Sequence, residues 1–479
     1  MSTMDLTKLK KSLNELTDEY ERLLFVYLTD PEASLDLGSL LEKYPFLTFE
    51  NVQTVKFTPF FGKLVEWYLK KQLFPYDYKI ERARLKALVD NKEVPVSQLG
   101  DMALLKLDRE EKQMLYEVYL EALELLNHFR LEKVKILQEE AKKLGFNNYL
   151  ALWGVETGID VETLREHCER FLSGTRDLYK TTLESLLRNQ IGISLKEAER
   201  YDIRKLFLGK QFEQHFVGRN LLDVVYKTFD GLDIDLHQIT GLEIVESVRK
   251  NLTSVCLAID PPQVIKLVYK PEGSYRSFSS IVREAAHAVH LALIDSDRTA
   301  YSCDHSTTEG WAFLFGNLFT KPSFLRKMFG MRDSKEREDF TKLFNASMLT
   351  YTRTYAASFL YQKELYEKGI DDSRIAYDRI LNDALLSNNY EEFFLLEADP
   401  YKSGVYLIGA ILSSILEKYL SGRHGRRWHE KPAAGSDIRL LMSFGNIKPD
   451  ELVGMCGYSF TEQALIDHFE SSLKQPTKC

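Results

Sequence analysis

Apolar residues recur at three- and four-residue spacing through most of this chain, as in Leu115, Val118, Tyr119, Ala122, Leu123 and Leu126 ahead of the charged stretch Arg130 to Lys143. An α-helix turns once in about 3.6 residues, so this period lines one helical face with apolar groups, and a strand would need period two. The chain is therefore expected to be mainly α. Loop signals at Asp30-Pro31, Lys92 to Pro95, Gly145-Phe146-Asn147, Gly192, Gly231, Pro261-Pro262 and Pro271-Glu272-Gly273 separate helices and mark no long linker. With 479 residues, 44% of them hydrophobic, the chain can bury a large core. Two lobes are expected, a lid-like helical region 1–130 and a second region 131–479.

One stretch breaks the helical rhythm. Ser254 to Asp260 and Val264 to Tyr269, joined by Pro261-Pro262, are rich in branched residues and predict short strands within 254–270. Ser277-Phe278-Ser279-Ser280 then offers hydroxyls for capping a buried helix, predicted over 278–294 through Val282, Ala285, Ala286, Val289 and Leu293.

The formal net charge of −8 argues against nucleic acid as a partner, because phosphate binding needs a concentrated positive surface. The one basic cluster, Arg423 to His429, reads as a solvated helix end. No apolar run of signal-peptide or membrane-span length follows the first residues, so the cytoplasm is expected and a membrane partner is not. Five cysteines, odd in number and scattered without a C-x-x-C pair, fit reduced thiols.

Chemistry concentrates at Arg283-Glu284-Ala285-Ala286-His287. Helical residues four apart share a face, so an H-E-x-x-H segment aims two imidazoles at one zinc while its glutamate activates the bound water. Here Arg283 stands at the first histidine position, and a guanidinium cannot ligate zinc. A third ligand in such sites is a glutamate further along the chain, and Glu309 lies 22 positions after His287, beside a glycine that would let two helices approach closely. Each residue also has a plainer reading. Ser306-x-x-Glu309 matches a helix capping box, and His287 and His290 fit buried histidines satisfied by backbone carbonyls. Glu284, however, is a carboxylate on a largely apolar helix and needs a partner or a cleft.

In order and spacing, Ile259-Asp260-Pro261-Pro262 with Val264 to Tyr269, Arg283 to His290, and Thr308-Glu309-Gly310-Trp311 resemble the oligoendopeptidase F and thimet oligopeptidase family of zinc metallopeptidases. Asp399-Pro400-Tyr401 through Leu407, Gly425-x-x-Trp428 with Ala433-Ala434-Gly435, Phe444-Gly445-Asn446 to Leu452, and Gly457-Tyr458 look like that family's C-terminal helices. Before residue 200 the best match is Lys143-Leu144-Gly145-Phe146-x-x-Tyr149. The resemblance implies a large helical two-lobed fold around a deep channel, with a small β-sheet whose edge strand precedes the motif helix and pairs with substrate. Carried over, that strand is Val264 to Tyr269, with Val264, Lys266 and Val268 as contacts. The resemblance further places zinc at His287 and Glu309, the general base at Glu284 and an oxyanion stabiliser at Tyr401 or Tyr406. Arg283 inherits no role.

Losing one ligand while gaining a permanent cation weakens any zinc site. Arg283, one turn from His287, is instead expected to reach Glu309 or Glu284 and supply, by a bidentate salt bridge, the charge a metal would supply. Three functions stay open. The first is a peptidase-fold protein without ordinary zinc peptidase activity or cofactor, binding a peptide or other elongated ligand in a central channel. The second is an active enzyme, either using zinc or another divalent metal with Glu284, His287, Glu309 and an accessory His290 or His305, or working by metal-free acid–base chemistry. The third is a helical scaffold whose partner binds elsewhere.

A di-iron centre would need a second E-x-x-H pair and further glutamates from other helices, and the sequence does not place Asp295, Asp297 and Asp304 to supply them. Arg353, among Tyr351, Tyr355 and Tyr361, either reads a ligand carboxylate from the channel wall or belongs to a buried aromatic stripe. Cys303 with His305 lacks an orienting third group for thiol catalysis, and no phosphate loop or G-x-S-x-G elbow occurs.

Overall fold

The computed structural model describes residues 5–83 apart from 57 and 59, then 86–89, 92–95, 98, 99, 102, 109–249, 254–294, and 305–474 apart from 389, 397 and 446. These residues are mainly α-helical, with five short strands in two small sheets. Many helices begin where a short polar side chain can accept a free backbone N–H. Asp36, Asn148, Asp160 and Asp333 accept from Ser39, Ala151, Thr163 and Glu336 at 2.6 to 3.0 Å. The 35-residue helix Arg109–Lys143 stops at Gly145, whose φ of 83° suits glycine, and Phe146 N bonds back to Ala141 O at 2.9 Å. That helix runs unbroken through residue 130, so the boundary expected between 130 and 131 falls inside a continuous element.

β1 (Lys86–Val89) and β2 (Lys92–Pro95) form an antiparallel hairpin. Lys92 to Pro95, expected as a loop, is thus a strand, and its proline sits at the strand end, where the missing N–H costs little. The second sheet contains β3 (Leu242–Glu246), β4 (Ser254–Asp260) and β5 (Val264–Tyr269) in the order β3-β5-β4. β5 is antiparallel to β4 and parallel to β3. The strand expected at an edge is therefore the central one, with its backbone paired on both sides. Gly241 makes this possible. Its carbonyl accepts from Ile265 N at 2.9 Å, and an added Cβ would stand 2.2 Å from Gln263 O, at a φ of 89°.

Period-two alternation splits the sheet's side chains between two partners. Leu257, Ile259 and Val268 pack with Leu24, Phe25 and Leu28 of the N-terminal helix Leu6–Thr29. Leu267 joins the main core with Phe278, Ile281 and Val282 of the motif helix. Each fully buried aliphatic side chain here contributes about 1.5–3 kcal/mol. The motif helix spans Tyr275–Leu293 and starts earlier than expected, because Ser274 is its cap and accepts from Ser277 N at 3.2 Å. Among the described residues no helix is long and apolar enough to cross a membrane.

Candidate functional site

The helix Ser306–Gly316 lies between the motif helix and the long helix Pro400–His424, and glycines set its distance from the latter. A Cβ on Gly310 would fall 2.5 Å from Leu412 Cδ2, and one on Gly409 would fall 2.8 Å from Glu309 Cβ. The close approach beside the acid is therefore to the helix Pro400–His424, while the Glu309 carboxylate faces Arg283 and His287 of the motif helix.

There Glu309 Oε2 accepts from Arg283 Nη2 at 3.2 Å, and Oε1 lies 3.6 Å from His287 Nε2. The bridge to Arg283 is single rather than the expected bidentate pair. Arg283 also lies over the Phe313 ring, 4.4 Å from its centroid. Phe313 is one helical turn after Glu309 and shares its face, a spacing readable in the sequence. Gly316 leaves room for the arginine stem, since a Cβ there would come 2.9 Å from Arg283 Cγ. The capping-box reading of Ser306-x-x-Glu309 is not realised, because His305 occupies the cap position without a side-chain cap bond and Glu309 turns to Arg283.

Glu284 points elsewhere. Its Oε2 accepts from Cys256 N at 2.9 Å. Because β4 is an edge strand, that amide faces away from β5 and ties the motif glutamate to the free edge of the sheet. Burial raises the pKa of Glu284 above its ordinary value although His287 and Arg283 oppose it. Burial likewise raises Glu309 against the pull of Arg283. His287 is lowered by burial, with Glu284 opposing and Arg283 adding. Arg283 itself stays above its ordinary value, since Glu309, with Tyr355 and Glu284 adding, outweighs the burial that works against its charge. Shifts of this pattern belong to a water-poor site in which one guanidinium provides the fixed positive charge.

These donors do not suit zinc, which takes four ligands at about 2.0–2.3 Å. His287 and Glu309 converge, but a guanidinium holds the third corner and Glu284 is committed to a backbone amide. Among the described residues no group of three His, Cys, Asp or Glu side chains gathers to hold a metal. His290 is not an accessory ligand. It is fully buried, with Nδ1 2.5 Å from Thr308 Oγ1 and Nε2 3.4 Å from Gly445 O, and burial drives its pKa to about 3. His305 stands 5.9 Å from the Tyr401 ring, its pKa pushed by burial to about 4. Asp295, Asp297, Cys303 and Asp304 lie outside the described residues.

Of the two candidate tyrosines, Tyr406 joins the Arg283 cluster. Its ring lies 5.9 Å from Phe313 and 5.3 Å from Tyr355, and burial, with Glu309 adding, raises its pKa to about 12. Tyr401 sits with His305 just inside the helix that Asp399 caps. Val264 and Val268 pack toward the N-terminal helix, and Lys266 pairs with Glu243 of β3. The three residues expected to meet substrate are thus spent inside the sheet. Arg353 is fully buried, bonding Ala384 O at 2.7 and 2.9 Å and Leu172 O at 2.8 Å, so it does not line a channel.

No family model and no curated protein matches the chain. Among solved structures, PZ peptidase A with inhibitor 2 is similar at a TM-score of 0.62 and 16% identity, over 96% of this chain and 84% of that one. The M32 carboxypeptidase from Deinococcus radiodurans R1 is similar at a TM-score of 0.57 and 14% identity, over 98% of both chains. At such identities the likeness speaks to the path of the backbone, and the chain has the fold of the large helical metallopeptidases.

Proposed function

We propose that this chain is an oligoendopeptidase-like protein that binds a peptide or other elongated ligand beside the motif helix without ordinary zinc peptidase activity. The observation that carries this reading is the 3.2 Å ion pair from Arg283 to Glu309. A guanidinium there neutralises the carboxylate that a metal would otherwise neutralise, so the acidic cleft folds without zinc. The substrate-strand role moves from β5 to the free edge of β4, beside Glu284, where an extended peptide can add a strand through main-chain hydrogen bonds.

A second reading is favoured by the approach of His287 Nε2 to Glu309 Oε1 at 3.6 Å. It keeps these two residues as ligands of a divalent metal and Glu284 as base in an active enzyme. Metal analysis together with a quenched-peptide cleavage assay on wild type and Arg283→His separates the two. The first reading expects wild type to bind peptide with neither zinc nor cleavage, and Arg283→His to gain zinc. Stoichiometric zinc with cleavage by wild type replaces the first reading by the second.

A further inference from the structure

A cavity of about 230 Å³ opens beside Arg283, between the N-terminal half of the motif helix and the long helix Ser334–Lys368. Its wall contains two arginines, Arg276 and Arg283, and no carboxylate. Arg276 extends from the first turn of the motif helix and bonds Phe207 O at 2.7 Å through Nη2. Among the described residues Arg283 makes one hydrogen bond, to Glu309, its Nε has no partner, and its side chain is 27% exposed. The remaining wall combines hydroxyl and amide groups with the rings of Phe313, Phe344, Tyr351 and Tyr355.

We infer that this cavity is a binding site for a carboxylate-bearing ligand with an apolar or aromatic body about one residue long. The donor chemistry selects the anion: the charged side chains on the wall are both guanidinium groups, Arg283 sharing its charge with Glu309 behind it, and guanidinium donors match the two oxygens of a carboxylate. The rings select the body, since aromatic faces take up flat apolar groups. The small volume limits the length, because sites for drug-sized ligands are roughly 300–1,000 Å³. The inference rests on the reading of this cleft as a ligand site, and gives that ligand a free carboxylate at one end.

Calorimetric titration of the full chain with N-benzoylglycyl-phenylalanine, its C-terminal amide and 3-phenylpropionate tests the assignment. The acid should bind at least about tenfold more tightly than the amide, and Arg283→Met and Arg276→Met should each erase most of that preference. Thermal unfolding checks that each variant is folded, and Arg276→Met keeps the test alive should Arg283→Met fail to fold. Tighter binding of the dipeptide than of phenylpropionate assigns the carboxylate to a peptide terminus, and equal binding assigns it to a free acid. Equal affinity for acid and amide, no binding of either acid by wild type, or undiminished preference in the folded variants overturns the inference. Zinc uptake with cleavage by wild type would sink the proposed function yet leave the acid–amide difference standing.

Discussion

Two arginines, Arg353 fully buried and Arg283 partly exposed, follow opposite rules. Arg353 is fully enclosed, and its donors are taken by Ala384 O, Leu172 O and the Thr175 hydroxyl, with the Tyr179 ring 4.8 Å away. No acid neutralises it by direct contact among the described residues, and burial lowers its pKa to about 10. Arg283 has an acid partner, an unpartnered Nε and a cavity beside it. One arginine has its hydrogen bonding satisfied but not its charge, and the other the reverse. Saturated donors mark a cation that fastens helices together, whereas an unpartnered donor and a neighbouring cavity are the features on which the proposed ligand site rests.

Removing Arg353 should have the largest effect. Arg353→Met strands the Ala384 and Leu172 carbonyls, each costing roughly 1–3 kcal/mol, for a total loss of about 3–5 kcal/mol in urea unfolding. A loss below about 1 kcal/mol would break the comparison.

Arg283→Met should cost less, about 1–2 kcal/mol, because the pair is partly exposed and Glu309 can protonate once its cation is gone. A double-mutant cycle with Glu309→Gln should give a coupling of about 1 kcal/mol. Zero coupling would mean that the contact holds nothing in place.

The smallest effect sharpens the comparison from outside the cleft. His429 is buried, 3.2 Å from Ser323 Oγ, and burial, with Lys321 adding, lowers its pKa from 6.5 to about 4. The unfolded chain therefore takes up this proton first, so the stability tied to neutral His429 is present above pH 6.5 and lost as pH falls toward 4. His429→Asn should flatten that part of the stability profile by about 1 kcal/mol. An unchanged profile would show that burial of a cation-forming side chain has no cost here, and would remove the reason for setting Arg353 against Arg283.

Much of this was legible in the residues. Leu115 to Leu126 announced a helix, Val264 to Tyr269 a strand, and the four-residue step from Arg283 to His287 a shared face. The direction from Arg283 to Glu309 was also foreseeable, because charge balance on an apolar helix demands a partner. β3 was missed although Leu242 and Ile244 alternate with Glu243, because five residues give too short a pattern to stand out from a loop.

The sequence by itself determined which elements form and which side chains share a face, since helical and strand periods are set by backbone geometry between near neighbours. Only the tertiary structure decided that β5 lies between β3 and β4, that Glu284 binds the Cys256 amide, and that His290 and Arg353 are spent on backbone carbonyls and threonine hydroxyls. Each of these depends on groups far apart in the chain meeting in space, and a buried donor donates to whichever acceptor the packing brings within reach.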